Sequence, residues 1–180
     1  MKLEIVTYGA DVLRRPAQAV TAFSDELRTL AANMIETMHE ADGVGLAAQQ
    51  VGRTEAICVI DIPKDADKNK EAAKFNEGVA MPLVLVNPRI TASEGAQRNS
   101  EGCLSFPDIH GQITRAMQVT AEYTGLDGER KTITARGLLA RAIQHELDHL
   151  AGTLMVDKFS QLQKLAVNGK LRRLAAANGK

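Results

Sequence analysis

Residues 141–152 read Arg-Ala-Ile-Gln-His-Glu-Leu-Asp-His-Leu-Ala-Gly. His145 and His149 are four apart, and Glu146 follows the first of them. Helical side chains four residues apart lie one turn above each other on the same face. Both imidazoles can then reach one divalent metal ion, and Glu146 can reach a water on that ion as general base. This is the pattern of a zinc-type hydrolase, and on its own it suggests peptide cleavage. A five-residue match also arises by chance, as one surface and one buried histidine on an ordinary amphipathic helix. The rest of the chain must therefore supply a third ligand and a substrate cleft.

Catalytic sites of this type have three protein ligands and one open position. A third His six residues after the second is absent, because position 155 is Met155, and no acidic residue follows Asp157. Cys103, Cys58, His39, His110 and upstream carboxylates remain. Cys103 stands out, since it follows Gly102 and precedes a stretch ended by Pro107, which predicts a strand end or tight turn with its sulfur exposed. A thiolate with two imidazoles suits a borderline-soft divalent ion, and the tetrahedral preference of such a set points to zinc. Cys58 reads as a small core hydrophobe in mid-strand. His39 reads as a structural or solvated residue near a helix C-terminus, and His110 as a substrate-side or surface residue.

The elements that must position these groups are legible in outline. Leu138, Leu139, Ala142, Ile143, Glu146 and Leu147 give the motif helix an apolar-rich face, with Gly137 before it and Gly152 as its stop. An earlier helix is predicted from the Ser24 cap through Leu27, Leu30, Ala31, Met34, Ile35 and Met38 to about Ala41. Gly43–Gly52 is dense in small residues, which fits a turn or the close approach of another backbone. Strands are expected at Leu3–Tyr8, Glu55–Ile62, Pro82–Asn87 (ended by Pro88, with Ile90–Glu94 as an extension), Gln118–Thr124 and Glu129–Thr134. Gly125–Gly128 reads as the hairpin turn between the last two. Leu154–Val156 reads as a last short strand, and residues 63–79 as an exposed charge-mixed excursion with a short helical turn. Ser160 caps a final helix carrying Leu162, Leu165, Leu171 and Leu174, weakened in the middle by Asn168-Gly169. Strand and helix do not alternate regularly, so the fold class is α+β, one domain over residues 1–180, with antiparallel or mixed sheets around the metal-binding helix.

Bulk properties exclude several roles. Lys plus Arg and Asp plus Glu are 22 each, so no basic excess suggests nucleic acid or an anionic membrane. Aromatic residues are only 3%, too few for base-stacking platforms. No apolar run is long enough to cross a bilayer, and the first residues read as a strand and not as a signal peptide. A cytoplasmic protein is expected, with Cys58 and Cys103 reduced and no disulfide partner.

Gly43-Val-Gly-Leu-Ala-Ala-Gln-Gln50, Glu101-Gly-Cys-Leu-Ser105 and Gln144-His-Glu-Leu-Asp-His149, in this order, resemble the three signature motifs of peptide deformylase. The resemblance covers almost the whole chain. It departs at Asp108, where many members have Gly, and at Met155, where Phe is common. It implies that Cys103, His145 and His149 hold one divalent cation, Fe2+ in the cell, with Zn2+, Ni2+ or Co2+ as replacements. It implies a nascent peptide with an N-terminal formylmethionine as substrate and formate as product. Glu146 is then the general base. The Gln50 amide and the Leu104 N–H stabilise the oxyanion, and Gly45 and Gly102 lie along the extended substrate. Val44, Leu138 and Ala142 are expected to line the methionine pocket, on the resemblance and on helix phase together. Asp42, Arg115 and Asp148 are expected to orient ligands through polar contacts. Lys170, Arg172 and Arg173 read as a solvated basic face, with transient ribosome contact as the functional alternative.

Two rivals stand beside this reading. A metallopeptidase cutting internal bonds predicts a third His or Glu ligand after the helix. A structural metal site predicts four closing ligands and has no use for Glu146.

Overall fold

The computed structural model describes residues 1–178. Four α-helices, α1 (Asp25–Glu40), α2 (Lys70–Phe75), α3 (Gly137–Leu150) and α4 (Gln161–Asn178), accompany seven strands. The strands are β1 (Gly45–Ala47), β2 (Ile57–Ile60), β3 (Leu83–Glu94), β4 (Gln97–Cys103), β5 (Phe106–Arg115), β6 (Gln118–Thr124) and β7 (Arg130–Arg136). An antiparallel sheet runs β1-β2-β3-β6-β7, and β4-β5 forms a separate two-stranded hairpin. The α+β expectation holds.

The period of two in β2 explains how one sheet serves two helices. Ile57 and Val59 pack with Leu27, Leu30, Met34 and Met38 of α1, whereas Cys58 and Ile60 pack with Leu139, Ala140 and Ile143 of α3. Cys58 is thus a fully buried core residue, as its setting in a β-branched run implied. A third cluster joins Phe106, Ile109 and Ile113 of β5 to Leu13, Leu154, Met155 and Phe159. This third cluster supports the hairpin that carries Cys103.

Several elements differ from the sequence reading. Leu3–Tyr8 is extended but belongs to no sheet; it is a strap, with Val6 N–H donating to the Gln50 carbonyl and Tyr8 N–H to the Ser105 carbonyl, both at 2.9 Å. Pro88 does not end a strand. β3 passes through it with a register shift between Val86 and Arg89, where the ladder needs no N–H from proline. Leu154–Val156 gives way to a 3-10 turn, Met155–Lys158, whose start is fixed by Leu154 N–H donating to Asp157. α4 continues through Asn168-Gly169, with Leu171 and Leu174 packed while Leu162 and Leu165 stay 77% and 72% exposed.

Asn87 explains how the segment around Val20 and β3 stay together. It sits at φ 49°, a left-handed conformation that Asn tolerates better than most residues. Its side-chain amide both accepts from Val20 N–H and donates to the Val20 carbonyl, each at 2.8 Å. Asn87→Ala should therefore cost about 1–3 kcal/mol, from two unpaired main-chain groups and residual backbone strain. A lowered urea midpoint with unchanged slope is the expected measurement.

Candidate metal centre

Three separate segments meet at one cleft of about 440 Å3. Val44, Gly45 and Gln50 line one wall, Gly102, Cys103, Leu104 and His110 another, and His145 and Glu146 the floor. A larger hollow of about 660 Å3 lies beneath the 61–79 segment, but none of its lining residues is a Cys or His.

Cys103 is the last residue of β4, at a register shift where the hairpin turns, as its flanking glycine suggested. The coordinating atoms of Cys103, His145 and His149 all lie within 4.8 Å of one another. Among the described residues this is the one group of three His, Cys, Asp or Glu close enough to share an ion. His39 instead pairs with Asp61 at 2.8 Å on the surface. His110 faces Gly102 across the hairpin, and a Cβ at Gly102 would come within 2.8 Å of its ring.

The donor set fits a divalent cation. His145 gives Nδ1 to Glu101 Oε2 at 3.0 Å, which leaves Nε2 for the site. His149 Nε2 lies 3.3 Å from Cys103 Sγ. Glu146 is 4% exposed, yet its Oε2 has no protein partner, and neither has His149 Nδ1. Buried polar atoms without partners mark a place where a missing group belongs.

The electrostatics follow from a buried network. Arg115, 3% exposed, donates Nε and Nη2 to the two oxygens of Glu101 at 2.8 and 2.9 Å, and Nη1 to Asp148 at 2.6 Å. Burial would raise the Glu101 carboxyl, but hydrogen bonds from Arg115 and His145 overcome it and hold the group at about 2. Burial would lower His145, but the Cys103 sulfur and Glu101 overcome that, so its proton is held up to about 10. Burial and the charge of His145 push His149 well down. Burial raises Glu146 to about 7, against the opposing charges of His145 and Arg115. A cation at Nε2 excludes a proton from that nitrogen, while the Nδ1 hydrogen bond to Glu101 is kept.

Glycine at position 45 is a steric requirement. A Cβ there would sit 2.9 Å from Glu146 Cδ and still closer to Oε1. Gly45 therefore seats the carboxylate as well as lining the cleft. Gln50 is fully buried; its Oε1 accepts from Ala47 N–H at 2.9 Å and its Nε2 donates to Cys103 Sγ and Ser105 Oγ at 3.4 and 3.3 Å.

The expected methionine pocket does not assemble as one wall. Val44 lines the cleft and is 37% exposed. Ala142 turns into the sheet core, and Leu138 lines a neighbouring cleft with Gln97, Asn99 and Arg141. Helix phase explains this. Leu138 is two turns from His145, about 10 Å along the axis, and Ala142 points between the turns toward β1 and β2. Arg115 is linked to His145 through Glu101, and Asp148 holds Arg115, but Asp42 has no such contact. It is exposed at φ 54° and terminates α1, with Gly43 N–H returning to the Met38 carbonyl at 2.9 Å. Glu101 was passed over as an individual residue. Its signal was its place two residues before Cys103 on a strand, which puts both side chains on one face.

Comparison with known proteins is consistent along the chain. The sequence profile of the polypeptide deformylase family matches residues 2–165. The peptide deformylase of Opitutus terrae is 41% identical, over 97% of this chain and 94% of that protein. The crystal structure of a peptide deformylase from Synechococcus elongatus in complex with actinonin superposes with a TM-score of 0.80 at 40% identity, covering 93% of this chain and 87% of that one. The peptide deformylase structure from Thermus thermophilus gives 0.85 at 35% identity, covering 98% and 99%.

Two outcomes test the site. Gly45→Ala should leave fold and metal binding intact but displace the Glu146 carboxylate and lower turnover about 100-fold or more, the scale of a 1 Å misplacement. In the metal-free protein, Glu101 contributes stability that is present above its ordinary 4.5 and lost as pH falls toward 2. Glu101→Gln should flatten that acid limb in chemical denaturation measured from pH 5 to 2.

Proposed function

The chain belongs to the polypeptide deformylase family and is a metal-dependent hydrolase that removes the formyl group from nascent formylmethionyl peptides; from that premise we propose how its residues divide the work. One catalytic domain, residues 1–180, carries the reaction. Cys103, His145 and His149 hold the cation. A bound divalent ion supplies Lewis acidity toward the formyl oxygen and makes water acidic near neutral pH. Fe2+ is the proposed ion on the family resemblance, and Zn2+, Ni2+ and Co2+ are replacements that the same donors admit.

Glu146 takes the proton of the attacking water at its carboxylate. Its burial and its upward-shifted acidity, at about 7, suit a group that must both accept and return a proton near neutral pH. The formyl carbon becomes tetrahedral, and its oxygen gains charge. The Gln50 Nε2 and the Leu104 N–H donate to that oxygen, each such donor being worth roughly 2.7–4 kcal/mol. Glu146 then gives its proton to the leaving amine. The C–N bond breaks, and formate and the free α-amino group depart.

Gly45 and Gly102 present backbone to the extended peptide, and both lack a Cβ beside the cleft. Val44, which lines the cleft, is the proposed contact to the methionine side chain. Formyl selectivity is steric, since only hydrogen on the reacting carbon fits beside the ligands. No helix among the described residues is long and apolar enough to cross a membrane. The cytoplasm, where translation supplies the substrate, is the proposed compartment. Lys170, Arg172 and Arg173 are exposed on α4, and this surface is proposed to touch the ribosome transiently.

The observation that carries the catalytic reading is the orphaned Glu146 carboxylate oxygen beside the Cys103–His145–His149 triad. Nickel-loaded protein should release formate from formyl-Met-Ala-Ser and leave the acetylated analogue intact, measured by formate and free amine. Glu146→Ala should retain the metal and lose nearly all turnover. A metal-loaded wild type inert toward the formylated peptide would overturn the reading.

A further inference from the structure

The segment between β2 and β3 does more than fill a surface. α3 begins at Gly137, a buried residue at φ 58°, after Arg136, whose side chain does not cap the helix. The first N–H groups of any helix need partners from outside it. Here the partner comes from about 70 residues upstream. Asp67 Oδ2 accepts Leu138 N–H at 2.8 Å, while its Oδ1 accepts Asn69 N–H at 2.9 Å and so fixes the carboxylate. Asn76 accepts from Arg136 N–H at 3.1 Å and donates to the Arg136 carbonyl at 2.9 Å. A Cβ at Gly137 would collide with Asp67 and lie 2.5 Å from the Ala72 Cβ. The segment therefore closes directly over the helix start, with a negative charge where the helix dipole favours one.

We propose that Asp67 and Asn76 are positioning residues for the metal centre: they fix where α3 begins, and through its rigid axis they set the place of His145 and Glu146. At the other end the Leu150 carbonyl is held by Ala17 N–H at 2.7 Å. With that end anchored and the middle tied to β4 and β5 through Glu101 and Arg115, the external cap fixes the first turn. The proposal rests on the deformylase reading only for its kinetic arm, because metal affinity is measured without turnover.

The full-length chain and its Asp67→Ala and Asp67→Asn variants are compared in three measurements. These are amide exchange at residues 138–141, the Zn2+ dissociation constant by competition with a chromophoric chelator, and kcat and KM on formyl-Met-Ala-Ser. Asp67→Ala should speed exchange about fivefold, the scale of a lost helix cap. It should also weaken Zn2+ binding several-fold and lower kcat with KM within about twofold. Asp67→Asn keeps an acceptor and should recover most of each effect. Faster exchange with unchanged Zn2+ affinity would make the cap purely structural and overturn the proposal, as would unchanged exchange. Should Asp67→Ala not fold, Asn76→Ala carries the same test with the same expected directions, and unchanged Zn2+ affinity there overturns it. A wild type that binds Zn2+ but hydrolyses no formylated peptide refutes the function and leaves this inference standing.

Discussion

The buried contact between Arg115 and Glu101 is the constraint on which the rest of the site depends. Both side chains are almost fully out of water. A guanidinium and a carboxylate can share such a place only if nearly every donor and acceptor is used. Glu101 spends its remaining acceptor capacity on His145, and Arg115 spends a donor on Asp148. The network therefore ties β4 and β5 to α3 at the two turns that carry His145 and His149. Removing one partner from a pair like this typically costs about 3–5 kcal/mol, far more than a surface ion pair contributes. The outer pairs make the contrast. Arg89–Glu122, across β3 and β6, and Lys131–Asp127, at the β6-β7 turn, are solvent-exposed.

The same network separates the acidities of neighbouring groups. Glu101 is kept ionised and can only accept; Glu146 lies in the same buried region without a cation bonded to it and is kept close to neutral pH. Two glutamates thus receive different tasks from their surroundings. Glu101 holds the His145 ring, while one carboxylate oxygen of Glu146 is left without a protein partner. Gly45 completes the division by leaving room for the Glu146 carboxylate.

Much of this was legible in the sequence because it is local. The four-residue histidine spacing, the helix periodicities of α1 and α3 and the Gly125–Gly128 turn depend on neighbours along the chain. Cys103 was legible as a ligand candidate because a glycine marks its turn. What escaped was non-local. Val6 and Tyr8 satisfy their N–H groups on Gln50 and Ser105 and not in a sheet, so alternation could not tell a strap from a strand. Pro88 breaks ladder pairing in principle, but the Asn87 conformation and a register shift absorb it. Asp67 looked like one more charge in a polar excursion, because nothing nearby in sequence reveals that its partner is Leu138. The methionine pocket failed to assemble as one wall for a related reason. Helix phase gives the direction of a side chain but not which cleft lies along that direction.

The order of strands in the main sheet bears on how the molecule comes into being. β1, β2 and β3 are successive neighbours, then the β4-β5 hairpin leaves the sheet, and β6 and β7 complete it. Of the candidate ligands, Cys103 lies on this detour and the two histidines on the helix that follows the last strand. During synthesis from the N-terminus, the first two-thirds of the chain can form a sheet edge and hold Gln50 in place without a working centre. The last of the three candidates, His149, emerges after all seven strands. Long-range closure of this kind is slow compared with helix formation. The three candidate ligands can therefore meet only late, once the chain has emerged past all seven strands.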